Sequence, residues 1–330
     1  MADTFKALVV SEESDGAYAI NIKDRSFDEL PEGEVLINVK YSSLNFKDAL
    51  SATGNKGVTR NYPHTPGIDA AGVVTECSDG SFKEGDEVLV TGYDLGMNTS
   101  GGYGQYIRVP SGWVVALPEG LSLRESMGIG TAGFTAALSV DGLLKSGLSD
   151  AGGEVLVTGA TGGVGSLAVS MLAAEGLDVV ASTGKAEAED WLKSIGAHSV
   201  IGRAELSEPN KRPLLKGVWA GAVDTVGGEV LANVLKSMKY GASVTCCGLV
   251  ASMKLDITVL PFILNGVSLI GIDSVKSPMP LRQEIWQKLG GKWKPARLDE
   301  IIHESSLDGL EDEVKKILKG GQRGRVVVKL

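Results

Sequence analysis

The sequence predicts an α/β protein, a doubly wound parallel sheet joined to a β-rich, partly open barrel. Three observations carry this expectation. Residues 155–165, VLVTGATGGVG, run a β-branched strand into a glycine-dense turn, and an apolar helical pattern follows at once. Beyond that point short apolar strands alternate with helical segments, the order a parallel sheet requires. Before about residue 120, short β-propensity runs follow one another between turn signals.

Taken in order, the early runs are Phe5 to Val10, Val35 to Tyr41, Ala71 to Cys77, Glu87 to Thr91, Tyr106 to Val109 and Val114 to Leu117. Pro31-Glu32-Gly33 and Lys83-Glu84-Gly85-Asp86 read as turns between them. From about Leu121 the pattern changes. Arg124 to Leu144 is helical and rich in small residues, with Gly130-Thr131-Ala132-Gly133 at a close packing point. The parallel strands are then Val155 to Thr158, Val179 to Ser182, Ser199 to Ile201, Ala220 to Asp224, Ser243 to Cys247 and Leu269 to Ile272. An amphipathic helix, Leu307 to Leu318, precedes a last strand, Arg325 to Leu330, which has no helix after it and is expected to return to the first domain. Residues 1–125 and 278–330 are thus expected to form the β-rich domain, and 126–277 the sheet domain.

The chain's 330 residues are enough for a core in each of two domains. A net charge of −9 argues against nucleic acid as a partner, since neutralising phosphates needs a basic face. No continuous apolar run approaches the eighteen or so residues that span a bilayer, and the start Met1-Ala2-Asp3-Thr4-Phe5 lacks the features of a signal peptide. A cytoplasmic protein with no membrane partner is expected. Cys77, Cys246 and Cys247, with His64, His198 and His303, lack the close pairing of a structural zinc site, and no metal is expected.

The turn after the first parallel strand matches the dinucleotide-binding fingerprint, with Ala160, Gly162 and Gly165 at its three positions and Gly163 extra. Such glycines allow a tight turn, close approach to a pyrophosphate and close helix–strand packing. Gly162, Gly163, Val164 and Gly165 are the candidate pyrophosphate contacts, at a helix N-terminus whose free N–H groups suit phosphate. An NAD site normally places a carboxylate at the end of the second strand, to hold the ribose 2′-hydroxyl. Here that strand ends Ser182-Thr183-Gly184-Lys185, and Arg203 follows the third strand. Ser182, Thr183, Lys185 and Arg203 are therefore candidates for a 2′-phosphate, which favours NADP(H); solvated surface charge is the alternative for Lys185 and Arg203.

Together the segments resemble the zinc-free, quinone oxidoreductase-like branch of the medium-chain dehydrogenase/reductase superfamily. Its motifs are Ser42-Ser43-Leu44-Asn45-Phe46-Lys47-Asp48, Pro66-Gly67-Ile68-Asp69-Ala70-Ala71-Gly72, Gly130-Thr131-Ala132-Gly133-Phe134-Thr135-Ala136 and Asp224-Thr225-Val226-Gly227-Gly228. Tyr240-Gly241, Pro261-Phe262-Ile263-Leu264, Ile272-Asp273-Ser274-Val275 and Gly324-Arg325 add to them, and the detail is similar to a bacterial subgroup that includes NADPH-dependent acrylyl-CoA reductase. The resemblance implies a homodimer, a GroES-like catalytic domain, a Rossmann domain and a cofactor cleft between the two. Zinc-bearing members carry a Cys near Asn45 and Gly-His-Glu where this chain has Gly67-Ile68-Asp69.

The activity so implied is NADPH-dependent reduction of the C=C bond of an α,β-unsaturated acyl-CoA, with acrylyl-CoA foremost. By the same resemblance Phe46 flanks the nicotinamide and Asn45 lines the site, either as a polar orienter or as the cap of a local turn. Asp48 completes the catalytic candidates, with a structural hydrogen-bonding role weighed above acid catalysis. Cys247 and Gly248 would border the ribose or nicotinamide, Ile272 and Asp273 would seat the carboxamide, and Arg325 would touch the cofactor. Lys47, Lys56 and Arg60 are candidates for the coenzyme A phosphates, or plain surface charges. The proton donor is unassigned, since Gly54-Asn55-Lys56-Gly57 holds no Tyr. An NADPH:quinone oxidoreductase and a non-catalytic NADP(H)-sensing protein are the alternatives.

Overall fold

The computed structural model describes residues 4–14, 16–148 and 152–330; residues 1–3, part of the leader reading above, lie outside the described residues. The chain divides into two units. One comprises Met1–Thr131, Val275–Gly291 and Leu298–Leu330, and the other Ala132–Ser274 and Lys292–Arg297. The first unit begins with β1 (Thr4–Glu12), β2 (Tyr18–Ser26), β3 (Val35–Leu44), β4 (Asp69–Cys77), β5 (Glu87–Thr91), β6 (Tyr106–Val109) and β7 (Val114–Ala116). The second holds β8 (Val155–Val157), β9 (Val179–Thr183), β10 (Ser199–Gly202), β11 (Trp219–Asp224), β12 (Met238–Cys246) and β13 (Ser268–Gly271). β14 (Ile302–Ser306) and β15 (Arg325–Lys329) complete the first.

In the first unit β1 and β2 form a hairpin, and a larger sheet runs β14-β15-β3-β4-β5-β7 with β6 also on β3. The closing strand returns as expected, antiparallel to β3 with Val326 opposite Leu44. Alternate residues point inward, as a half-buried strand requires: Val35, Ile37 and Val39 of β3 meet Val88 and Val90 of β5 and Ile107 and Val109 of β6. Each such side chain contributes roughly 1.5–3 kcal/mol by leaving water. β2 and β14 escape the sequence reading because neither has a fully buried residue and both lack that alternation.

The second unit is one parallel sheet in the order β10-β9-β8-β11-β12-β13. β8, β9 and β11 are buried at every residue, so they read as continuous apolar runs. Strand order reverses between β8 and β11. In such sheets ligands bind beyond the carboxyl ends of the strands at that point.

The helix Leu123–Lys145 breaks at Gly130 (φ 53°, ψ −160°), one residue before the first unit's Thr131 boundary, whereas the expected boundary at residue 125 falls in its first turn. A Cβ on Gly130 would lie 2.5 Å from Asp69 Oδ2 and 2.8 Å from Arg325 Nη2, so only glycine fits. This helix is long and apolar enough to cross a bilayer, although Ser, Thr and Gly interrupt its apolar run, and 83% of the relevant stretch is buried as in a core helix. The assignment of 292–297 to the second unit also departs from the expected division. Lys292 and the Trp293 indole both bond Glu175 there, at 2.7 and 2.6 Å.

Candidate active site and cofactor-binding residues

β8 delivers its chain into the turn Thr158–Gly162 and then the helix Gly163–Ala174. Gly159 takes φ +60°, and Ala160 N–H donates to Ser182 O at 3.0 Å, which ties the turn to β9. A Cβ on Gly165 would meet Gly159 O at 2.4 Å and Ala160 Cα at 2.8 Å, so the third fingerprint glycine is required by backbone packing. Gly162 supplies no capping side chain. The N–H groups of Gly163, Val164 and Gly165 therefore lie in the first turn, where intrahelical acceptors are missing and the dipole is positive.

Beside this turn, Asp224 at the end of β11 accepts from Thr158 Oγ1 and Gly227 N–H, both at 2.8 Å. Burial raises the carboxyl's pKa. The contact joins β8 and β11 where the strand order reverses. Cys247 N–H donates to Asp224 O at 3.0 Å, and burial, then the nearby Asp224 charge, push the Cys247 thiol up to about 12. A Cβ on Gly248 would fall 1.9 Å from Thr225 O. Ile272 N–H donates to Cys246 O at 3.0 Å, and Asp273 is exposed next to it. These residues all lie at the carboxyl ends of β11, β12 and β13.

At the end of β9 a pocket of about 420 Å³ is lined by Thr183, Gly184, Glu189, Gly202, Arg203 and Ser207, among others. Arg203 N–H donates to Thr183 O at 2.7 Å, and its guanidinium carbon lies 3.0 Å from where a Gly184 Cβ would stand. Thr183 and Arg203 thus share one pocket. Ser182 is buried in the strand, and Lys185, which donates its N–H to Thr183 Oγ1 at 3.0 Å, does not line it. Sequence reasoning missed Glu189, a carboxylate on the same wall held by Lys193 at 2.7 Å.

The first unit contains a buried polar cluster at the start of the helix Phe46–Ala52. Asn45 caps that helix in extended conformation; its Nδ2 donates to Asp69 Oδ2 at 2.8 Å, and its Oδ1 accepts from Arg325 Nη1 at 3.1 Å. Both ends of the amide are therefore engaged. Asp48 is fully buried and accepts from the N–H groups of Asn45 (2.8 Å), Ile68 (2.8 Å) and Gly67 (3.2 Å). Desolvation, then the neighbouring Asp69 charge, raise its pKa to about 7 against the pull of those bonds. Asp69 also accepts from Ser43 Oγ at 2.6 Å and Thr131 N–H at 2.9 Å.

Arg325 turns inward. It is 3% exposed and donates to Ser43 Oγ (2.8 Å), Leu44 O (3.2 Å) and Gly128 O (3.3 Å), with Asp69 Oδ2 at 3.7 Å. Its donors hold the unit together, which differs from the expected cofactor contact. Phe46, by contrast, is 42% exposed. Lys56 is engaged by Glu12 at 2.8 Å and lies over the Tyr18 and Tyr62 rings, so its charge is already satisfied. Arg60 is exposed, and its backbone N–H donates to Asn98 Oδ1 at 3.3 Å. A hollow of about 300 Å³ near β1 and β2 contains none of the predicted site residues, and Arg25 and Glu29 pair across its wall at 2.6 Å.

Residues 31–119 match the family model of the alcohol dehydrogenase GroES-like domain, and 163–289 that of the zinc-binding dehydrogenases. The chain is 47% identical to acrylyl-CoA reductase AcuI of Ruegeria pomeroyi over 325 residues, covering 98% of each. It belongs to the medium-chain dehydrogenase/reductase family, on the quinone oxidoreductase-like branch. Another member, YhfP of Bacillus subtilis, named as a quinone oxidoreductase, is 48% identical over 331 residues, all of both chains. Its structure with NAD bound superposes at a TM-score of 0.96, covering 99% of each chain. The yhdH oxidoreductase of Salmonella enterica in complex with NADP, 43% identical, superposes at 0.95 and covers 98% of this chain and 99% of that one. The family is one of oxidoreductases. Asn45 and Asp69 are committed to each other and to Arg325, and among the described residues no group of three His, Cys, Asp or Glu side chains could hold a metal.

Proposed function

We propose that this chain is a metal-independent, NADPH-dependent reductase of α,β-unsaturated acyl-CoA thioesters, with acrylyl-CoA as the principal substrate. The cofactor reading is carried by one observation: the pocket at the end of β9 presents Arg203 and Thr183, with no carboxylate at the strand end. The free N–H groups at Gly163–Gly165 fit a pyrophosphate. NADP in the Salmonella enterica relative supports the reading, and the NAD in YhfP makes the comparison with NADH part of any test. The AcuI relative supports the thioester.

When bound, NADPH supplies the hydride. The protein's part is placement. Gly162, Gly163, Val164 and Gly165 hold the phosphates, Thr183 and Arg203 grip the 2′-phosphate, and the exposed Phe46 ring offers an apolar face to a planar group. The cluster of Asn45, Asp48, Asp69 and Arg325 fixes the helix that carries Phe46, so these residues position and do not react. Exposed Arg60 offers a cation to the coenzyme A phosphates.

Quinone reduction is the second reading, favoured by the identity to YhfP. Incubation with acrylyl-CoA and NADPH deuterated at the transferring position separates them: propionyl-CoA labelled at the β-carbon is the expected product, and unchanged acrylyl-CoA beside quinone turnover would support the second reading. We also place the protein in the cytoplasm, where its three free thiols persist, and as a homodimer. The outer edge of β13 with exposed Leu269, Ile263 and Leu264 offers a surface for a second copy. Light scattering on a sizing column should give a dimer mass; a monomer would contradict this.

A further inference from the structure

Among the described residues one non-glycine residue has a positive φ: Tyr93, at 52°. A bulky side chain adopts that conformation only where its surroundings impose it, and such residues cluster at working sites. Here the surroundings are explicit. Tyr93 N–H donates to Val275 O at 3.2 Å. Its ring stacks on Trp113, with centroids 5.3 Å apart and planes within 5°. The guanidinium of buried Arg282 lies 4.5 Å from the ring centroid, and is itself fixed on Thr91 O at 2.8 Å, Thr91 Oγ1 at 3.0 Å and Val275 O at 3.1 Å. The ring is clamped. Its hydroxyl bonds to no group among the described residues.

The same residue stands close in the hydrogen-bond network to the helix that carries Phe46. Gly92 N–H donates to Ile68 O at 3.0 Å, and Ile68 N–H donates to Asp48 Oδ1 at 2.8 Å, so one residue links the Tyr93 loop to that helix. The register agrees, since Thr91 pairs with Asp69, whose carboxylate holds Asn45. Lys47 Nζ reaches Met97 Sδ of the same loop at 4.0 Å. Tyr93 and Phe46 thus leave the same end of the first unit's sheet.

We propose that the Tyr93 hydroxyl is the hydrogen-bond donor to the thioester carbonyl oxygen, a role that rests on the enoyl-thioester reading above. As a hydride arrives at the β-carbon, the C=C π pair moves toward the carbonyl oxygen as an enolate. A donor held at that oxygen stabilises the charge without reorganising. The α-carbon then takes a proton from water as the carbonyl re-forms. The stacked, cation-flanked ring holds its hydroxyl in a fixed place, and this accounts for a strained backbone at this position.

The test is Y93F, which removes the hydroxyl and keeps the stacked ring. With acrylyl-CoA its kcat should fall about 100-fold, with NADPH affinity and melting temperature unchanged. Y93G, which relieves the backbone but also lacks the hydroxyl, should fall at least as far. Wild-type turnover with Y93F within twofold of it would overturn the role of Tyr93. A wild type inert toward acrylyl-CoA but active on quinone would overturn the substrate reading, and this proposal with it.

Discussion

Truncating Arg203 to Ala should weaken NADPH binding and leave NADH binding nearly unchanged. The Arg203 main chain is tied by its N–H to Thr183 O, and the guanidinium lies beside Gly184 in the pocket. A charge-assisted hydrogen bond is worth roughly 1.5–3 kcal/mol, or about 10- to 150-fold in affinity. Glu189 lines the same pocket and repels a phosphate, but Lys193 offsets its charge at 2.7 Å. The expected loss for R203A is therefore about 10- to 100-fold in Kd for NADPH and under twofold for NADH. Nicotinamide fluorescence titrations of both cofactors at one salt concentration measure it, and raising the salt should shrink the difference. Equal losses with the two cofactors would refute the assignment of Arg203 to the 2′-phosphate.

Asp48 predicts a pH effect. Its folded pKa of about 7 lies above the unfolded 3.8, so the folded state holds the extra proton between those values. Its contribution is fully present below about pH 4 and is lost as pH rises through about 7, by at most about 4 kcal/mol. The melting temperature of D48N, which cannot ionise there, should therefore rise relative to wild type from pH 5 to pH 8, and a constant difference would count against the buried-carboxyl account. G165A drives a methyl into the backbone of Gly159 and Ala160 and should cost about 1–3 kcal/mol as well as cofactor affinity; calorimetry showing wild-type stability would contradict the packing argument. Cys247, whose thiol is pushed up to about 12, should alkylate at pH 8 far more slowly than a free cysteine, and rapid labelling of Cys247 by iodoacetamide would show otherwise.

The nucleotide-binding half was legible because its determinants are local. The Gly165 requirement arises from backbone five or six residues earlier, and continuous apolar strands announce a sheet covered on both faces. The polar cluster of the first unit was not. Asn45, Asp69 and Arg325 are distant in sequence, and the pairing of β15 with β3 brings them together. Nothing local says whether Arg325 at a strand start points inward or toward a ligand, so the expected cofactor contact became an internal support. The same reason hid Glu189 in the pocket and Tyr93 in its clamp, since both acquire their meaning from contacts across the fold.

The most direct test of the central claim is steady-state oxidation of NADPH by the purified protein with acrylyl-CoA, run beside NADH and beside benzoquinone. Fast turnover with NADPH and acrylyl-CoA, at least tenfold above either comparison, is the result expected from the Arg203 pocket and the proposed thioester chemistry. Turnover with quinone alone, or equal rates with NADH and NADPH, would contradict it.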